Sequence, residues 1–259
     1  MFNTTVSGSG PVLVWAHGLM HSMDFETRTG WFHPTENDGV CRVRYDARGH
    51  GHSPGGTDSA AYLWSAQADD LLAIASAHTA LPRALGGHSM GAASALLAAL
   101  KCPEQTSCLI LATPPTAWQT RPNQIRRYRQ MQGIIEQRGL TSLISLATQN
   151  PALPDWLLQA HPEHATASRQ ALSGMHAPTL TAILEAACAC DLPARDALHQ
   201  LAVPTLILGW RDDPIHPVQS AELLAEALPM AELHIIDHAS DLQRWPLQIS
   251  EFVRRHTAG

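Results

Sequence analysis

The 259-residue chain contains a single lysine, Lys101, against sixteen arginines, and only four Phe and three Tyr. It has no long hydrophobic run. The longest, Pro11–Ala16 and Cys108–Ala112, fall far short of the ~18 apolar residues that a membrane-spanning helix needs. It also lacks a basic excess: the net charge of −6 argues against a nucleic-acid binder, which normally shows a basic face. Paired cysteines are missing too. Cys41, Cys102, Cys108, Cys188 and Cys190 are odd in number and irregularly spaced, so reduced thiols are expected rather than a disulfide framework. The start, Met1-Phe-Asn-Thr-Thr-Val6, has neither a basic n-region nor an apolar h-region, so no signal peptide and a cytoplasmic location are expected. The chain is not poor in core-forming residues, and a 45% hydrophobic content excludes disorder. The fifteen histidines accompany a general richness in Ala, Arg and Pro, and their number alone is no metal signal.

Short apolar runs bounded by Gly and Pro recur at both ends of the chain: Pro11–Ala16, Val40–Tyr45, Arg83–Gly87, Ser107–Ala112, Val203–Gly209 and Ala231–Asp237. Such near-continuous runs predict strands buried on both faces, as in a parallel sheet. Helix-period stretches lie between them at Ser59–His78, Met90–Leu100, Val218–Leu228 and Arg244–Arg255. The Met90–Leu100 helix is apolar all round and should be buried. This alternation implies βαβ units and an α/β fold. It breaks between Pro114 and Ala202, where prolines and helix-period runs such as Asn123–Arg138 and Leu140–Ala147 replace strands. The expected organisation is an α/β core of residues 1–114 and 203–259, with a helical cap inserted at 115–202.

Gly87-His88-Ser89-Met90-Gly91 is a G-x-S-x-G sequence, weak as a string but placed between an apolar strand and a buried helix. A serine on so tight a turn needs neighbours without side chains two residues before and two after. The helix N-terminus then aims its free N–H groups at developing negative charge. Asp212-Asp213-Pro-Ile-His-Pro217 follows one later strand and His238 follows the next. Sites in open α/β sheets gather at the carboxyl ends of strands, so serine, acid and histidine can converge.

With these residues the chain resembles the α/β-hydrolase superfamily along essentially its whole length. His17-Gly-Leu-Met20 resembles the family's H-G turn. Tyr45–Ser53 contains the D-x-R-G-x-G-x-S pattern, and Gly87–Gly91 resembles the nucleophile elbow. Asp213–Pro217 matches the D-P-x-x-P acid loop, and His238 with Pro246 resembles the C-terminal histidine loop, although Asp237 stands where a glycine usually precedes the histidine. The resemblance implies a mostly parallel sheet flanked by helices. Only ten residues precede the Pro11–Ala16 strand, so Phe2–Ser7 should supply one strand and the usual first edge strand should be missing. It also implies Ser89 as nucleophile, His238 as base, and the backbone N–H groups of Leu19 and Met90 as oxyanion donors. Spacing from Gly209 favours Asp212 as the acid, whereas the match to Pro217 favours Asp213; Asp213 is taken, with Asp212 as the alternative. Met20, His21 and Trp118 are candidate pocket walls, Trp118 equally suiting packing between cap and core. His234 and His216 read as surface or rim residues, His50-Gly-His52 as loop chemistry, Cys188 and Cys190 as buried thiols, and Arg121, Arg126, Arg127 and Arg129 as a solvated helix face.

A serine at the elbow disfavours epoxide opening and dehalogenation, for which relatives carry aspartate there. Arg44–Gly51 is similar to the 3-oxoadipate enol-lactonase branch and related small esterases. The expected activity is therefore hydrolysis of a small carboxylic ester or lactone through an acyl-enzyme. The expectation includes no cofactor or metal, and a small-molecule partner rather than a nucleic acid or membrane. Two alternatives stay open. One is C–C cleavage, hydroxynitrile chemistry or perhydrolysis by the same triad; the other is a non-catalytic ligand-binding relative.

Overall fold

The computed structural model describes residues 1–32, 38–79 and 83–257. Among the described residues seven strands form one sheet: β1 (Thr4–Ser7), β2 (Val12–Ala16), β3 (Cys41–Tyr45), β4 (Arg83–His88), β5 (Thr106–Ala112), β6 (Thr205–Trp210) and β7 (Ala231–Ile236). Their order is β1-β3-β2-β4-β5-β6-β7, with only β1 antiparallel to its neighbour. The sheet is flanked by α1 (Met23–Arg28), α2 (Trp64–His78), α3 (Met90–Lys101) and, after the cap, α10 (Val218–Ala227), α11 (Ala239–Leu242) and α12 (Trp245–Thr257). Between β5 and β6 run the cap helices α4 (Arg121–Arg138), α5 (Leu140–Gln149), α6 (Asp155–Ala160), α7 (Glu163–Ser173), α8 (Ala177–Ala189) and α9 (Arg195–Leu198). This is the architecture the alternating pattern predicts, and β1 supplies the edge expected of Phe2–Ser7.

The central strands are apolar on both faces because each face carries its own core. Val14, Leu85, Leu109 and Ile207 pack under α2, α3 and α10, while Trp15, Ile110, Leu208 and Trp245 pack on the other side. A third cluster joins the cap residues Tyr128, Leu143, Leu172 and Leu184 to Tyr62 from the α/β core. Parallel register brings Ala16 beside Gly87, His88 beside Ala112 and Trp210 beside Ile236. The loops that leave these carboxyl ends therefore emerge on one edge.

The Asp46 segment, which follows β3, is a structural knot. The Asp46 carboxylate accepts from Asn3 Nδ2 (2.7 Å), Met23 N–H (2.8 Å) and His52 N–H (2.9 Å). His17 Nε2 accepts the Ala47 N–H at 2.9 Å, and its Nδ1–H donates to the Gly18 carbonyl at 2.8 Å. The D-x-R-G-x-G-x-S residues thus tie the edge of the sheet to the turn after β2. His50 is buried, its Nδ1 2.9 Å from the Arg48 carbonyl oxygen.

Arg121 departs from a solvated helix face. It is buried at the junction of cap and core, where Nε donates to the Cys190 carbonyl at 2.7 Å and Nη2 donates to the Ala187 carbonyl. Its guanidinium also lies 4.6 Å from the Trp64 ring. These carbonyls end α8, so a fixed cation satisfies both their unpaired oxygens and the negative end of the helix. Arg121→Met should therefore lower stability by about 2–3 kcal/mol through lost charge-assisted hydrogen bonds. Thermal unfolding would show a Tm lowered by about 5–10 °C; an unchanged Tm would contradict this role.

Candidate active site

Ser89 sits between β4 and α3 with φ 54°, a left-handed conformation rare for residues other than glycine. The surrounding packing holds it there. Its N–H donates to the Ala112 carbonyl at 3.0 Å, and Ala93 N–H returns to the Ser89 carbonyl at 3.1 Å. A Cβ on Gly91 would overlap the Ala16 carbonyl, and one on Gly87 would overlap the Gly91 backbone. Both glycines are therefore demanded by close approach of helix, strand and turn.

The Asp213 carboxylate is almost fully buried, with its side chain 2% exposed. Its Oδ1 accepts the N–H groups of Ile215 (2.7 Å) and His216 (2.9 Å), and its Oδ2 accepts the Trp210 indole N–H. Burial works against its charge, but attraction to His216 and these hydrogen bonds outweigh it and hold the carboxyl below its ordinary range. Oδ2 also lies 2.8 Å from His216 Nδ1, and His216 Nε2 lies 2.8 Å from Ser89 Oγ. A carboxylate can only accept, so Nδ1 carries the proton and Nε2 is left as an acceptor for the Ser89 hydroxyl.

The histidine brought to Ser89 is thus His216, three residues after Asp213, and not His238. Only Asp237 and His238 separate the end of β7 from α11, and His238 becomes the residue that opens this helix. Its side chain is 75% exposed and its Nε2 lies 3.4 Å from Asp237 Oδ1. His234 is also exposed. Of the two adjacent acids, Asp213 enters the site, while Asp212 is exposed on a backbone with φ 60°. The available signal for His216 was the Asp-Pro-Ile-His-Pro spacing itself. A carboxylate that accepts the N–H groups two and three residues on folds the chain back, so a side chain at the third position reaches the same carboxylate.

A cavity of about 570 Å³ lies above Ser89, with His216 and Asp213 among its lining residues. Apolar walls come from Leu19 and Phe25 in the core and from Met131, Leu143, Leu153 and Leu172 in the cap. Leu19, Met20 and His21 all line it, on a tight turn closed by His21 N–H to the Gly18 carbonyl at 3.1 Å. Trp118 does not line it. Its indole N–H instead donates to the Pro193 carbonyl at 2.9 Å, and its backbone N–H donates to Asp191 at 3.1 Å. Two carbonyl and carboxylate partners beside the start of the cap hold that ring away from the cavity. Met90 is the first residue of α3, where N–H groups have no intrahelical acceptor.

The order of the sheet, the elbow and the cap above it define an α/β-hydrolase. Residues 10–240 match the family model described as serine aminopeptidase, S33, and the chain belongs to this family of hydrolases. It is 31% identical over 204 residues to a putative carbamate hydrolase, RutD, from Rhizobium rhizogenes, covering 75% of this chain and 73% of that one. Among solved structures it is similar to a thermophilic esterase from Thermogutta terrifontis, with TM-score 0.81 and 23% identity over 99% of this chain and 94% of that one. The enol-lactonase from Burkholderia xenovorans gives TM-score 0.81 at 16% identity, covering 97% of this chain and 95% of that one. Likeness at this level of identity concerns the fold.

Five histidines packed on or behind the site favour the neutral form. Burial is the largest cause for His17, His21, His50, His88 and His164 alike. His50 is brought down to about 3 and His164 to about 4. Their unfolded counterparts bind protons below pH ~6.5 while the folded ones do not, so stability is lost as pH falls from there, by up to about 1.4 kcal/mol per pH unit for each. Buried Glu26 opposes this. Burial outweighs its Arg44 and Trp15 partners and raises it to about 7, so its contribution is complete below pH ~4.5 and lost as pH rises through 7. Five groups outweigh one. Urea unfolding should show stability falling steeply between pH 6.5 and 4.5, whereas a flat or rising profile would contradict the burial of neutral imidazoles.

Proposed function

We propose that this hydrolase cleaves a carboxylic ester or lactone through an acyl-enzyme on Ser89, with His216 as base and Asp213 as the acid that orients it. The observation that carries the proposal is the pair of 2.8 Å contacts from one imidazole to Ser89 Oγ and to Asp213. Serine is a weak nucleophile until a base takes its proton. In the first step Nε2 takes the Oγ proton as Oγ bonds to the carbonyl carbon. The resulting oxyanion lies against the N–H groups of Leu19 and Met90, where loss of one donor costs about 3 kcal/mol. The carbon–oxygen bond to the leaving group then breaks, and the imidazolium returns its proton to the departing oxygen. A water deprotonated by the same Nε2 attacks the acyl carbon, and the acid departs as Ser89 regains its proton. Asp213 holds the imidazole in the required tautomer and stabilises its charged form.

The cavity also bears on the substrate. Its volume and apolar walls suit an acyl or alkyl portion of drug-like size, larger than the small ester expected from the motifs alone. Met20 and His21 belong to its walls in this reading and Trp118 does not. The same triad serves a carbamate, and the carbamate hydrolase similarity makes that bond the second reading.

Ser89→Ala and His216→Ala should each lower kcat by about 10⁴-fold or more, while His238→Ala should leave it within about twofold. The opposite order for the two histidines would return the base to His238. A p-nitrophenyl ester series should show kcat/KM rising from acetate to octanoate, beside a matched p-nitrophenyl carbamate. An optimum at acetate would contradict the apolar-cavity argument, and faster turnover of the carbamate would favour the second reading.

A further inference from the structure

The loop Arg211–Pro217 carries both members of the proposed acid–base pair, and two cap helices grip its backbone. From α4, the Arg127 guanidinium donates to the Pro214 carbonyl. From α6, the Trp156 indole N–H donates to the Arg211 carbonyl at 3.1 Å. These acceptors lie one residue after and two residues before Asp213. The Trp156 ring also meets Trp210 edge-on at 6.2 Å, and Trp210 is the indole that donates to the Asp213 carboxylate.

On the α4 side, packed side chains do not fill the space behind this loop. A second cavity of about 170 Å³ separates them, lined by Thr116, Thr120, Asn123 and Gln124 on one side and by Asp213 and Pro214 on the other. The Arg127 hydrogen bond bridges that space. The loop itself contains a left-handed residue, Asp212, just before the acid. Its ties to the sheet at this end are the Arg211 N–H to the Ile236 carbonyl at 2.8 Å and the Trp210 indole N–H to the Asp213 carboxylate.

Placing acid and base on one loop has a mechanical consequence. If the loop shifts, Asp213 and His216 move together and keep their mutual hydrogen bond, so nothing inside the pair restores the contact from His216 to Ser89. The reach must be set from outside the loop. We infer that Arg127 and Trp156 are positioning residues through which the cap holds the acid–base loop at reacting distance from Ser89. This rests on the proposed role of His216. Arg127 and Trp156 touch no reacting atom; they act through the Pro214 and Arg211 carbonyls. The cap would then be part of the catalytic scaffold as well as the wall of the substrate cavity, and a tenth-nanometre displacement of such a group can cost about a hundredfold in rate.

The test uses the full-length protein and the variants Arg127→Met, Arg127→Lys and Trp156→Phe, with Ser89→Ala as the control. Two quantities are read: the second-order rate of labelling by a fluorophosphonate, and hydrogen exchange at the Ile215 and His216 amides that Asp213 accepts. Arg127→Met and Trp156→Phe should each slow labelling and kcat about tenfold, with KM little changed in Trp156→Phe, since Trp156 does not line the substrate cavity whereas Arg127 does. Both should speed exchange at these two amides, and Arg127→Lys should restore most of the rate. Labelling and exchange that match wild type in both variants, while Ser89→Ala abolishes labelling, would overturn the inference and leave the hydrolase reading intact. A folded wild type that fails to label would instead overturn the hydrolase reading. The exchange measurement still decides the clamp in that case, since unchanged protection in Arg127→Met overturns it.

Discussion

Everything at this site depends on how closely the start of α3 approaches the end of β2. Only because positions 87 and 91 lack side chains can the helix meet the Ala16 carbonyl and the turn at His17. That approach forces Ser89 into a left-handed conformation and presents Oγ on a turn rather than within an element. It also sets the free N–H groups of the first helical turn beside the Gly18–His21 turn. The strain at Ser89 is of the order of 1–3 kcal/mol and persists because the strands on either side over-determine it.

Against that rigid elbow, the Asp213–His216 loop is a self-contained unit. Asp213 closes a turn on two N–H groups and Pro217 leads directly into α10. One short peptide therefore orients an imidazole and supplies the carboxylate that charges it favourably. In the arrangement that the family resemblance implies, acid and base come from different loops. Here β7 runs almost directly into α11 and its histidine faces solvent, while the imidazole that reaches Ser89 comes from the same loop as the carboxylate. The cap follows from the same economy, since its helices both wall the cavity and hold the loop's carbonyls.

Much of the fold was legible because the strands are buried on both faces. Runs such as PVLVWA and VPTLILG show no period of their own, but they are too short for helices and Gly and Pro mark their ends. The elbow was legible for a stereochemical reason, since its two glycines are obligatory. The choice of Asp213 over Asp212 rested on its following proline, which disfavours helical geometry before it, and Asp213 is the one whose carboxylate meets His216. His216 was not legible, because a motif resemblance ranks residues by where relatives carry them, whereas the side chain's reach depends on a turn closed by Asp213 itself. Trp118 misled for a related reason. Its position at the start of the cap suits a cavity wall, but the carbonyl of Pro193 and the carboxylate of Asp191, distant in sequence, decide where its polar groups go. Arg121 likewise looked like one charge among several on a helix face until α8 brought two carbonyls to it.

In the proposed mechanism one histidine, three residues beyond the acid, activates the serine. The most direct measurement is a crystal structure of the protein after reaction with a phosphonate that stays bonded to Ser89 Oγ. His216 Nε2 is expected within about 3 Å of an adduct oxygen, with its Nδ1 still on Asp213 and His238 in solvent. An adduct in which His238 has swung in to contact the phosphonyl group, with His216 displaced from Ser89, would contradict it.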